Sequence, residues 1–141
     1  MSSTIYVTIF ISVIALVFVW YISTRIHEKY LEDDVMLVKL RTKLEPVFPE
    51  INNVILLRGK KSYTINKKRI HLCLYDKEGN YYDENMLTYV TIHELAHVKC
   101  PEIGHTDKFH AIFTSLLDQA TKAGVYNPNK PIIRDYCMYN D

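Results

Sequence analysis

Three features of the chain predict an α+β fold. Residues 5–22 form an apolar run without charge, short alternating stretches lie between residues 53 and 75, and two helical patterns flank Pro101. The predicted order is an N-terminal transmembrane helix, an amphipathic helix, a small β-sheet, a helix carrying two histidines, and a final helix. The boundaries are 1–24 for the anchor and 25–141 for a single small domain, whose length suits one hydrophobic core. No repeat or low-complexity tract interrupts it. The formal net charge of +1 does not favour a dedicated nucleic-acid binder.

Ile5 to Ile22 is eighteen residues long. As a helix it rises about 27 Å, close to the ~30 Å of a hydrocarbon core. Tyr6, Trp20 and Tyr21 sit near its ends, where amphipathic rings favour the interface. A cleaved signal peptide wants a basic leader and a small-residue cleavage site. Here the run is preceded by Met-Ser-Ser-Thr and closes on Val19-Trp20-Tyr21-Ile22, so an uncleaved single-pass anchor is expected. Arg25, Lys29, Lys39, Arg41 and Lys43 follow the span, which predicts a cytosolic domain by the positive-inside rule. A virion membrane is an alternative location.

Ile26, Tyr30, Leu37, Leu40 and Leu44 have helical spacing and predict a helix ending near Pro46, continuous with the span because no Gly or Pro separates them. Residues 53–57, 62–65 and 69–75 read as strands, the last with Ile70, Leu72 and Leu74 on one face. Lys77-Glu78-Gly79-Asn80 reads as a turn. Cys73, Cys100 and Cys137 are odd in number and show no framework spacing, consistent with a reducing compartment; a Cys100–Cys137 disulfide would argue for the opposite topology.

The chemistry concentrates in His93-Glu94-Leu95-Ala96-His97. A helix is expected from Asp83, its N-cap, to about Lys99, stopped by Pro101. Residues four apart share a helix face, so both rings can reach one zinc ion. Glu94 stands beside the first ring as the expected general base for a water molecule held at such an ion. After a turn at Pro101–Gly104, His105 is the expected third ligand, with Glu102 and Asp107 as alternatives. Thr106 or Asp107 then caps a helix whose face is Phe109, Ile112, Phe113, Leu116, Leu117 and Ala120, ending at Gly124. Cys100 is either a fourth ligand or a bystander. His110, Tyr126, Arg134 and Tyr136 are candidate oxyanion donors by proximity in sequence alone; His27 and His71 have no expected metal role.

The segment HELAHVKCPEIGHTDKFHAIFTSLL resembles the WLM and SprT-like metallopeptidases, through His93, Glu94, His97, His105 and Phe109. The resemblance covers roughly residues 68–123, and the His97–His105 spacing is longer than in the WLM pattern. It implies a zincin-like domain, a zinc cofactor, a peptide or protein substrate and an endopeptidase activity that uses zinc-activated water. Several such peptidases act on proteins trapped on DNA, and small relatives occur in large DNA viruses. It also implies a sheet edge beside the zinc, for which residues 69–75 are the expected strand.

Two other functions are open at this point. One is a membrane scaffold with a structural zinc; the intact Glu94 disfavours it. The other is a nucleic-acid module using Arg58, Lys60, Lys61, Lys67, Lys68 and Arg69, a cluster that reads equally as a solvated turn or as a contact for anionic lipid. Tyr81, Tyr82, Tyr126, Tyr136 and Tyr139 read as packing residues rather than stacking platforms.

Overall fold

The computed structural model describes residues 2–138, so Tyr139 lies outside the described residues. The chain divides into two units, one ending at Leu31 and one beginning at Glu32.

The first unit is formed by helix α1 (Ser2–Glu32), whose last residue already belongs to the second. It is long and apolar enough to cross a membrane. Its large side chains, Phe10, Phe18 and Trp20 among them, are exposed. Its hydroxyl groups turn back onto the helix: Thr8 donates to the Thr4 and Ile5 carbonyls, Ser12 to Thr8, and Thr24 to Tyr21. Those bonds satisfy polar atoms that would otherwise need water.

The second unit begins with a helix break. The expected continuous helix ends at Glu32, and α2 (Val35–Leu44) starts anew. Asp34 is the cause. Its Oδ1 accepts from the Met36 amide at 2.9 Å and caps α2. The same carboxylate accepts from the Tyr75 hydroxyl at 2.7 Å and the Tyr81 hydroxyl at 2.9 Å, with Arg58 at 3.8 Å. Ile26 and Tyr30 are accordingly not part of the buried stripe; both are exposed, whereas Leu37, Leu40 and Leu44 are buried.

A 3-10 turn (Pro49–Asn53) leads into strand β1 (Ile55–Arg58), so Asn53 precedes the strand rather than opening it. Strands β2 (Tyr63–Ile65) and β3 (Arg69–Leu72) complete a sheet of order β1-β3-β2. β3 runs parallel to β1 and antiparallel to β2, with Ile70 opposite both Leu56 and Thr64. This corrects the expected edge: residues 69–72 are central, and β1 and β2 are the outer strands, with β2 the one beside α3. Asn66 and Lys67 both take left-handed angles, φ 51° and 54°, as a type I′ hairpin turn requires. The Lys67 ammonium then donates to the carbonyl of Cys100, the C-cap of the next helix, where the dipole favours a cation.

Helix α3 (Glu84–Lys99) packs on β3 and β2. Asp83 caps it as expected, accepting from the Asn85 and Met86 amides. Helix α4 (Asp107–Lys122) packs on α3, and its cap is Thr106, which accepts from the Phe109 amide at 3.3 Å. Leu40, Leu44, Ile70, Leu72, Leu87, Ile92, Leu95 and Phe109 form one core between the sheet and the helices.

The remaining chain returns to the sheet. Cys137 pairs with Cys73 in a disulfide, Cα atoms 6.4 Å apart across 64 positions of sequence, while Cys100 is buried and free. The absence of a cysteine framework expected from spacing is thus corrected. Closing a loop of that length contributes about 4 kcal/mol in the chain-entropy account.

The Asp34 hub makes a direct test. Asp34→Ala is expected to lower the unfolding free energy of the full-length protein in detergent by about 2 kcal/mol, through loss of a helix cap and two tyrosine bonds. The exposed neighbouring change, Asp33→Ala, is expected to stay within about 0.5 kcal/mol. Equal effects in urea titrations followed by circular dichroism would refute this account of the break.

Candidate metal centre and adjoining cavities

Helical geometry sets the first two ligands. His93 and His97 lie one turn apart on α3, ring centroids 5.0 Å from each other. The third needs the chain to reverse. Cys100 closes α3 by donating its backbone N–H to the Ala96 carbonyl at 2.8 Å. Gly104, at φ +85°, then turns the chain in a region other residues resist, and α4 starts at once. His105 is thereby carried back over α3. Its Nε2 lies 3.1 Å from Nε2 of His93 and 3.1 Å from Nε2 of His97.

Phe109 holds this arrangement from below. It is fully buried, stacks on His97 at 4.2 Å, and meets the edges of His93 at 5.0 Å and His105 at 4.9 Å. Among the described residues these three histidines are the group that could hold a metal ion. Glu102 and Asp107, the alternatives for the third position, are not in it, and neither is Cys100. His110 stands apart, its ring 6.3 Å from that of His105.

The donor set fits zinc. Ligand nitrogens at ~2.0–2.1 Å around a tetrahedral ion are separated by about 3.3 Å, close to the observed spacing. Imidazole lone pairs converging at this distance repel unless a proton or a cation lies among them. The protonated form is disfavoured: burial first, then the charges of His97, His105 and His110, pull His93 down to about 4. Burial and His105 lower His97 in the same way. Both rings are therefore neutral at neutral pH, the state that ligates a metal.

Glu94 is buried, and burial raises its proton affinity, partly offset by a hydrogen bond from Thr64. The Thr64 hydroxyl on β2 donates to Glu94 Oε2 at 2.7 Å. Sequence reasoning had no signal for Thr64, because its role depends on the pairing that puts β2 next to α3.

Two cavities meet at His93 and Glu94. One, of about 610 Å³, runs past Tyr63, Thr64, His97 and His105. The other, of about 460 Å³, has Met86, Tyr89, Val90 and Ile133 in its lining, with Lys61 and Arg134. Ser62 borders both. Of the oxyanion candidates, Arg134 and Tyr136 line the second cavity. Tyr126 is buried against Tyr89.

The chain is similar to viral proteins. It is 47% identical over 106 residues to an uncharacterized protein of Invertebrate iridescent virus 6, a match covering 69% of this chain and 60% of that one. It is 51% identical over 87 residues to an uncharacterized protein of Invertebrate iridescent virus 3, covering 61% and 55%. An uncharacterized protein of Acanthamoeba polyphaga mimivirus is 46% identical over 67 residues, covering 46% of this chain and 34% of that one. The chain thus spans between about a third and three fifths of the length of these relatives. No family model matches it. No solved structure matches it.

Zinc titration of the full-length protein in detergent is expected to give about one equivalent bound, with affinity falling at least about 100-fold in His97→Ala and His105→Ala. Thr64→Val, which touches no ligand, is expected to leave zinc binding unchanged. Full zinc affinity in His105→Ala would remove that residue from the centre.

Proposed function

We propose that the chain is a membrane-anchored, zinc-dependent endopeptidase of the zincin type, similar to the WLM and SprT-like enzymes. The observation that carries this reading is the convergence of three imidazoles beside a buried carboxylate on the helix that carries two of them. A structural zinc site needs no such carboxylate.

His93, His97 and His105 would hold the zinc, which supplies Lewis acidity and a water molecule acidic enough to ionise near neutral pH. Glu94 takes the proton of the attacking water on Oε1, the oxygen not engaged by Thr64, and passes it to the leaving amine. The Thr64 hydroxyl fixes the carboxylate plane while it does so, making Thr64 a positioning residue. Phe109 keeps the three rings at their angles. β2 presents its outer edge to the cavities, so an extended peptide can add to it as a further strand. Arg134 lines the cavity that opens onto His93 and Glu94, where it could meet developing negative charge.

The anchor is α1. A disulfide in the domain favours a compartment that is oxidising, against the cytosolic orientation expected from the basic residues after the span.

Glu94→Gln is expected to bind zinc normally and to cut peptides at least about 1,000-fold more slowly. The measurement is mass-spectrometric cleavage of a mixed peptide library by the full-length protein in detergent, with zinc content assayed in parallel. A folded, zinc-loaded wild type that cuts nothing in the library sinks the proposal.

A further inference from the structure

The segment from Ile133 to Met138 has a place that the catalytic reading leaves unexplained. It belongs to no long helix or strand, yet Ile133, Arg134, Tyr136, Cys137 and Met138 line the cavity of about 460 Å³ that opens onto His93 and Glu94. Its attachments include a ring contact between Tyr136 and Tyr82 at 4.8 Å and a bond from the Ile133 amide to Met86 Sδ at 3.5 Å. The Tyr136 hydroxyl bridges the Ser62 hydroxyl at 2.8 Å and the Cys73 carbonyl at 2.5 Å. The Cys137 amide donates to the Tyr82 hydroxyl at 3.0 Å. The covalent attachment is the Cys73–Cys137 disulfide.

We propose that this disulfide is a redox latch: it fixes the strap 133–138 as one wall of the substrate cavity, and its reduction releases that wall without disturbing the metal centre. The inference rests on the peptidase reading for its consequence, but not for the latch itself. Cys137 is held at φ 55°, a left-handed conformation that a non-glycine residue seldom keeps unless its surroundings enforce it. Cutting the bond frees that residue to return to ordinary backbone angles. Cys73 follows β3 directly and its amide donates to the Ser62 hydroxyl at 2.9 Å, so it stays in place and the strap moves. The three histidines and Glu94 sit on α3 and the elbow, tied to Phe109 and Thr64 rather than to the strap.

The chemistry is thiol–disulfide exchange with a dithiol. One thiolate of the dithiol attacks a sulfur of the pair, a mixed disulfide forms, and the second thiolate displaces it. Cys73 and Cys137 gain two electrons and two protons, and the dithiol leaves as a disulfide. The domain would therefore be latched in an oxidising compartment and unlatched on entry to a reducing one.

The test uses the full-length zinc-loaded protein in detergent, before and after treatment with tris(2-carboxyethyl)phosphine. Hydrogen exchange is read over residues 133–138 and over α3, together with zinc content and library cleavage. On reduction, exchange in 133–138 is expected to speed up at least about tenfold while α3 and the zinc content hold, as in local opening. KM for cleaved peptides is expected to rise about tenfold, with kcat changing far less. The Cys73→Ser/Cys137→Ser double variant should match the reduced protein, and Tyr136→Phe, which keeps the disulfide, should show a smaller rise in exchange. Unchanged exchange on reduction, or alkylation of Cys73 and Cys137 before it, overturns the latch. Absence of cleavage in both states overturns the peptidase reading instead, and the exchange readout still decides the latch.

Discussion

The whole site depends on Phe109 lying under three imidazoles at once. Two histidines on one helix face are cheap to arrange, since helical pitch alone aligns them. Returning a third from beyond the helix end is not, because a loop residue has conformational freedom to lose. The buried phenyl ring resolves this by making the α3–α4 contact and the ligand geometry one packing problem. Ring-to-ring distances of 4.2–5.0 Å leave the histidines little room to splay. The glycine turn and the Thr106 cap then fix where α4 begins, and with it the position of His105.

The carboxylate raises the opposite problem. Glu94 is buried, where a charge is costly unless a partner meets it. Thr64 provides a single neutral hydrogen bond, which is modest support. The imidazoles of His93 and His97, held towards their neutral form, add none. The region is thus an accumulation of groups that would each prefer water, held in place by the core formed by α2, β3 and the inner face of α3. A cation at the histidines is the change that would relieve both strains together, and this links the electrostatics of the centre to its proposed metal.

What the sequence made legible was local. The capping residues Asp83 and Thr106, the stop before Pro101 and the glycine at 104 announce two helices and an elbow, and the HExxH spacing places two rings on one face. The structure follows those signals to within a residue or two. What stayed hidden was set by contacts distant in sequence. The break before Val35 rests on Tyr75 and Tyr81 reaching Asp34 across more than forty residues. The order of the sheet follows from how β1 pairs with β3, and a strand pattern does not encode its neighbours. Disulfide connectivity is equally silent in a sequence, so the Cys73–Cys137 pair was invisible beside the more central Cys100.

β2 is three residues long, and the lysine-rich loops at either end of it carry Lys60, Lys61, Lys67 and Lys68. An open strand is a template for any other chain with free backbone groups, including a second copy of this one. Shortness and flanking positive charge are the means by which proteins blunt such an edge. If α1 holds copies of the chain side by side in a membrane, like charge on neighbouring hairpins would oppose pairing between their edges while leaving the edge open to an uncharged or acidic strand. The basic cluster that resembles a nucleic-acid footprint would then act as insulation against self-association.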